Sequence, residues 1–356
     1  ITVSHSFIAT ANAIRSCGAE PVFVDIDPDT YNMDPNDLRR CLLEDCRSQD
    51  GKLYYKYLDR FAEAPSPLSM LIRASMDEKG PLGRVAAIMP VHQMGMPCDI
   101  SKIVSLANNY GLPVVEDAAC AIGSEISFGG GTRWEKIGVP HGDIACFSFH
   151  PRKIITTGDG GMITTNDRNV DSKARLLRQH GMSISDTARH CSRKVVFEEY
   201  VISAFNYRMT DIQAAVGIEQ LKKIHDILEE RRRLFTLYAE FLEGIPYLSP
   251  PKLPDNVRPN WQSYPVRILQ GAPCSQLELM QFLSDKGIAT RRGIMNAHQE
   301  PPYASAGWSL PVSENARDSV ILLPFFSGVG TQDIGYVSSV LRSALAKENG
   351  TLLGLS

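Results

Sequence analysis

The chain has 356 residues, 43% of them hydrophobic and 22% charged, with a formal net charge of -3. This is the composition of an ordinary globular protein with material for two domains, and it offers no electrostatic case for nucleic acid or an acidic membrane as partner. No apolar run is long enough to span a bilayer; the eight cysteines form no C-x-x-C pair and no zinc-finger spacing, which predicts a protein without a metal site in a reducing, cytoplasmic setting.

The sequence opens on Ile1 rather than Met, as if in mid-strand, and we expect a preceding segment to be missing. From there, short apolar runs alternate with helical patterns. Pro21–Asp25 reads as a strand and Val85–Val91 as another. A helix over Ile100–Tyr110 and a strand at Leu112–Val115 follow, then strands at Ala145–Phe149 and Gly161–Thr165. Continuous apolar strands separated by helices predict an α/β fold with a mainly parallel sheet covered on both faces. In such sheets ligands lie at the carboxyl ends of the strands.

Met209 to about Leu242 carries Ile212, Ala215, Val216, Ile218, Leu221, Ile224 and Leu228 at helical spacing, and the charges of Glu229–Arg233 read as a solvated face. Gly244–Pro259, rich in Pro and polar residues, reads as a connection. A strand at Tyr264–Leu269 and helices at Ser275–Lys286 and Asp333–Lys347 predict a small C-terminal α+β domain. The expected division is 1–245 and 246–356. Two stretches, Leu43–Arg84 and Ser127–His141, read as insertions.

Two segments carry chemistry. In Gly142–Asn166 a strand ends in Ser-Phe-His, a turn carries Lys153, and a Gly-rich link leads to the next strand. A strand-end lysine in an enclosed site can lose its proton by desolvation and form an imine with an aldehyde cofactor. By itself such a lysine is ordinarily just solvated. The second segment, Leu112–Gly123, ends four apolar residues in Glu116 and Asp117. A strand-end carboxylate facing a pocket can pair with a protonated pyridine nitrogen, although it can equally cap a helix. The two together, 36 positions apart on successive strand ends, are a much rarer combination than either alone.

The ordered segments EDAACAIG, GDIACFSFHPRKIITTGDGGMITTN and FNYRMTDIQAAVGIEQL resemble the DegT/StrS family of nucleotide-sugar aminotransferases, fold-type I pyridoxal-phosphate enzymes. SHSFIATANAIRSCGAEPVFVDID, MPVHQMGMPCDI and GIATRRGIMNAHQEPPY extend the resemblance over most of the chain. It implies a homodimer with active sites at the subunit interface. It also implies transfer of an amino group, with L-glutamate as expected donor, to a keto group of a nucleotide-linked deoxysugar, in cell-surface polysaccharide or secondary-metabolite biosynthesis.

By position, Lys153 matches the Schiff-base lysine, Asp117 the partner of the pyridine nitrogen and Ser148 a ligand of the cofactor phosphate. Phe7 matches the residue stacked on the ring. Asn206 falls where the partner subunit reaches the phosphate, with Arg208 close by. His298 lies in a loop expected to shape the sugar-nucleotide pocket. Cys120 departs from the pattern, standing near the ring oxygen where the family usually has Gln or His. The family's phosphate-cradling turn lies ahead of Ile1, outside this sequence. That leaves a non-catalytic relative as one alternative reading. The other is a dehydratase or lyase of the same family, but the dehydratase branch has histidine at the position of Lys153.

Overall fold

The protein is described from a computed structural model, which covers residues 1–62, 82–184, 195 and 197–346. At its centre, Thr2–Val3 pairs in parallel with Phe23–Val24 and bridges Met89 on its other side, also in parallel. Ile88 bridges Val114 and Val91 bridges Asp117, both in parallel. Val115–Asp117 then pairs in parallel with Ile144–Ser148, with Asp117 opposite Cys146. Gly161–Thr164 ends the row running antiparallel. The expected strand at Val85–Val91 is thus present only as isolated bridges. Pro90 has no N–H to give a ladder, which interrupts regular pairing there.

Val3, Val24, Ile88, Val114 and Ala145 are buried along this row, as continuous apolar strands require. The helix Ile100–Asn108 covers it through Ile100, Ile103 and Ala107, and the Asp99 side chain caps it by accepting from the Lys102 N–H.

The long helix expected from Met209 to Leu242 breaks at Lys223 into Asp211–Lys222 and Ile224–Leu242. Of its seven named apolar residues only Leu228 is buried, and Ile212 is 80% exposed. The charged run is not wholly solvated either. Leu228, Arg231, Leu234, Tyr238 and Leu242 form the buried stripe, so the helical period carries Arg231 inward. There its guanidinium donates to the Trp261 carbonyl at 2.6 Å.

Leu43–Arg84, of which 63–81 lie outside the described residues, leaves the helical turn Cys41–Asp45 for a hairpin, Cys46–Gln49 against Lys52–Tyr55, turning at Asp50 and Gly51, both in the left-handed region. Ser127–His141 lies largely in another, Glu125–Phe128 against Arg133–Lys136. Val257–Arg258, from the expected connection, adds to it as a third strand. Beyond, a four-stranded antiparallel sheet runs in the order Leu248–Ser249, Tyr264–Ile268, Val320–Leu323, Arg291–Arg292. The helix Gln276–Asp285, with Leu279 and Leu283 buried, packs on it, and the helix Thr331–Leu345, with Ile334 and Leu341 buried, packs against that helix and Ile224–Leu242. Among the described residues no helix is long and apolar enough to cross a membrane.

Candidate active site

The two adjacent parallel strands Val115–Asp117 and Ile144–Ser148 end together, and their carboxyl ends build the site. Asp117 is the last residue of the first. Its Oδ1 accepts from the Ala119 N–H at 3.1 Å and its Oδ2 from the Thr10 hydroxyl at 2.8 Å. The strand itself is anchored by Glu116, which is fully buried. One oxygen of Glu116 accepts from the His141 and Gly142 N–H groups, each at 2.8 Å; the other lies 3.0 Å from His92 Nε2. The Cys98 N–H points at His92 Nδ1 at 3.1 Å, so Nδ1 is the acceptor and Nε2 carries the proton given to Glu116. Burial alone would raise Glu116, but hydrogen bonds from His141, His92 and Gly142 outweigh it and bring it down to about 2.

After Ser148 the chain turns. The His150 N–H donates to Ser148 Oγ at 3.3 Å, which leaves the hydroxyl proton for a further acceptor. The Lys153 N–H closes the turn on the His150 carbonyl at 2.9 Å, and the half-buried side chain reaches back toward the neighbouring strand end, with Nζ 3.0 Å from Cys120 Sγ. Burial pushes the Cys120 thiol up, opposed by the Lys153 ammonium. Lys153 thereby touches Cys120, which follows Asp117 by three residues, although 36 positions separate Lys153 from Asp117 in the chain.

Phe7 begins the turn that leads into the helix Ala9–Ser16 and is 64% exposed, so its ring is available to a ligand. Asn206 and Arg208 lie on an exposed stretch ahead of the helix Asp211–Lys222; Asn206 bridges Gln179. His298 is buried, and both ring nitrogens are engaged: Nδ1 lies 2.6 Å from Ser4 Oγ, and Nε2 lies 3.2 Å from Glu314.

Three residues absent from the sequence reading belong to this arrangement. Thr10 and Ser6 support Asp117. Asn260 is buried and donates to the carbonyls of Cys120 (2.7 Å) and Ile122 (2.9 Å), tying the later part of the chain to the loop after Asp117. Small hydroxyl and amide side chains in loops give no periodic signal, and only the fold shows what they reach.

The chain matches the DegT/DnrJ/EryC1/StrS aminotransferase family over residues 1–47 and 69–342. It belongs to that family. It is 34% identical to the GDP-perosamine synthase of Caulobacter vibrioides over 347 residues, 97% of this chain and 78% of that protein. It is 30% identical to the spore coat polysaccharide biosynthesis protein SpsC of Bacillus subtilis over 348 residues, 96% of this chain and 78% of that one. Its fold aligns with the aminotransferase TlmJ from Streptoalloteichus hindustanus at a TM-score of 0.74 and 27% identity, covering 97% of this chain and 78% of the other. This family member is an aminotransferase. The family match leaves out 48–68, inside the first expected insertion, and its second range, 69–342, includes 127–141.

The side chains fit the cofactor that DegT-family aminotransferases use, pyridoxal phosphate. They offer an amine for its aldehyde, an anchored carboxylate for its ring nitrogen, a hydroxyl for its phosphate and an exposed aromatic face.

Proposed function

We propose that this aminotransferase holds pyridoxal phosphate on Lys153 and moves an amino group from L-glutamate to a keto group of a nucleotide-linked deoxysugar. The observation that carries the reading is that Lys153, in the turn after one strand, meets Cys120, three residues past the doubly anchored Asp117 that ends the adjacent strand. When bound, the cofactor would supply an electron sink for charge developing at the donor's α-carbon. Asp117 would hold the proton on the ring nitrogen, and Ser148 would donate to the phosphate. The Phe7 ring would cover one face. The Lys153 amine would carry the proton between the donor's α-carbon and the cofactor carbon. The sugar acceptor is favoured by the two named relatives, a GDP-perosamine synthase and a spore coat polysaccharide protein.

In this reading the chain works as a homodimer. The stretch from Phe197 to Leu221 exposes Phe197, Tyr200, Tyr207, Ile212 and Ile218, and the helix Asp211–Lys222 buries none of its residues. A helix with apolar side chains and no buried face wants a partner. A second copy seated there would carry Asn206 and Arg208 toward the phosphate of the facing site. Residues 1–245 would form the cofactor domain and 246–356 the smaller one. His298 would serve the sugar pocket as a brace between Ser4 and Glu314.

The test is reduction of the cofactor-loaded protein with borohydride. A cofactor-sized mass fixed on Lys153, absent in Lys153→Ala, is the expected result; an unlabelled Lys153 refutes the assignment. Nucleotide-linked keto-sugars offered with glutamate should then gain an amino group, read by mass.

A further inference from the structure

Asp117 is reached by a directed chain of hydroxyls from the turn that bears Phe7. Thr10 Oγ1 donates to Asp117 Oδ2 at 2.8 Å, and Ser6 Oγ lies 2.8 Å from Thr10 Oγ1. Ser6 and Thr10 are both buried. An ionised carboxylate only accepts, so the Thr10 proton points at Asp117. The Thr10 oxygen must then take its other bond from the Ser6 proton. The direction of the relay is therefore fixed, Ser6 to Thr10 to Asp117.

From the other side the Ala119 N–H holds Oδ1 at 3.1 Å. Each carboxylate oxygen thus has one donor from the protein and keeps a lone pair for one more. The Thr10 N–H bonds the Phe7 carbonyl at 3.0 Å. The turn that carries Phe7 and the residue whose hydroxyl supports Asp117 are thus joined by a direct backbone hydrogen bond.

We propose that Thr10, primed by Ser6, is a positioning residue for the transamination: it sets the orientation of Asp117 and so decides which lone pair meets the ring nitrogen. The proposal rests on the reading of Asp117 as the partner of that nitrogen. Hydrogen bonds in series polarise one another, and a bond to a charged group is roughly twice as strong as a neutral one, so the relay is a stiff support. Without the Thr10 hydroxyl, Asp117 keeps only the Ala119 contact and can rotate about it. Asp117 would then hold a proton on the ring nitrogen of a bound cofactor less firmly, and the electron withdrawal that the ring would supply at the Lys153 amine would weaken.

The experiment uses the cofactor-loaded enzyme with Thr10→Val, which keeps the shape and removes the donor, alongside Thr10→Ser and Ser6→Ala. Two quantities are read: the pH midpoint of the bound cofactor's visible band, and the single-turnover rate with glutamate. Thr10→Val should raise the midpoint by about one pH unit and slow the turnover about tenfold, the size expected for one charge-assisted bond. Thr10→Ser should restore both. Ser6→Ala should shift both in the same direction by less, and it carries the test if Thr10→Val does not fold. A merely structural role would lower the melting temperature of Thr10→Val and leave the midpoint in place. A wild-type midpoint in Thr10→Val and Ser6→Ala overturns the proposal, as does a failure of Thr10→Ser to restore it. Wild-type protein that fixes no cofactor on Lys153 under borohydride instead refutes the parent assignment of the site.

Discussion

Cys120 Sγ lies 3.0 Å from Lys153 Nζ, so the thiol of the loop after Asp117 and the amine of the turn after Ser148 are in direct contact. The contact is weak in kind, because sulfur is a poor acceptor and burial raises this thiol's pKa, which favours its neutral form. Cys120→Ala should therefore change the cofactor dissociation constant by no more than about threefold, the lower end of what a single hydrogen bond contributes. Cys120→Gln supplies an amide donor at the same position and should tighten cofactor binding by up to about tenfold. Titration of the visible band measures both. A hundredfold loss in Cys120→Ala would show that the thiol itself holds the cofactor.

Glu116 makes acid a probe of the site's foundation. Its carboxyl is brought down to about 2 from the usual 4.5 by the hydrogen bonds it accepts. A group whose folded pKa is depressed contributes stability that is complete above its unfolded pKa and is lost as pH falls. The Glu116 contribution should be constant above about pH 4.5 and disappear progressively between 4.5 and 2. Glu116→Gln puts an amide NH2 among N–H donors and should cost about 3 kcal/mol at neutral pH, because buried donors lose their acceptor. Denaturant midpoints of the two proteins should differ fully at pH 7 and converge in acid. A pH-independent gap would mean that the charge of Glu116 is not what stabilises the strand end.

Much of this was legible in the sequence, for a physical reason that also marks where legibility stops. Runs such as Leu112–Val115 and Ala145–Phe149 stand out as apolar because they send Leu112, Val114, Ala145 and Phe149 into the core. The polar pair after the first run, Glu116 and Asp117, drew attention to that strand end, whereas Ser148 became a candidate only through the family resemblance. Val85–Val91 was just as apolar, but Pro90 denies it a regular ladder. Arg231 shows the opposite failure. It sits in a dense run of charge, yet the helical period points it inward to the Trp261 carbonyl. Thr10 and Asn260 were invisible because a single hydrogen bond to a residue more than a hundred positions away leaves no pattern in the chain. Ile212 and Ile218 stand at helical spacing yet are exposed, because periodicity reports an apolar face and not what covers it.

That uncovered face supports a prediction about assembly. Ile218 is 56% exposed on a helix with no buried residue. If a second copy covers it, burial of one such side chain is worth about 1.5–3 kcal/mol, and a two-fold interface counts it twice. Ile218→Glu should therefore weaken the dimer by at least about a hundredfold. Light scattering at micromolar protein should show the wild type as a dimer and the variant as a monomer. The monomer should also release cofactor faster, on the proposal that Asn206 and Arg208 of a second copy serve the phosphate. A variant that remains dimeric would place the interface elsewhere.

His298 separates a brace from a direct substrate contact. The His298 N–H donates to Ser4 Oγ at 2.9 Å, and the Ser4 hydroxyl donates to His298 Nδ1 at 2.6 Å, a reciprocal pair that fixes the ring. Nε2 then carries the proton and gives it to Glu314 at 3.2 Å. Burial lowers the His298 pKa, only partly opposed by Glu314, and the neutral ring suits this pattern of one acceptor and one donor. Ser4 precedes the Phe7 turn by three residues, so loss of the imidazole should loosen that turn. We expect His298→Ala to cost about 2 kcal/mol of stability, the scale of a buried polar network left incomplete. Glutamate turnover should fall only a few-fold, and KM for the sugar should rise with kcat nearly unchanged. Calorimetry and steady-state kinetics on the same preparation decide between the roles. An unchanged melting temperature with a large fall in kcat would make His298 a participant in the chemistry rather than the brace that joins Ser4 to Glu314.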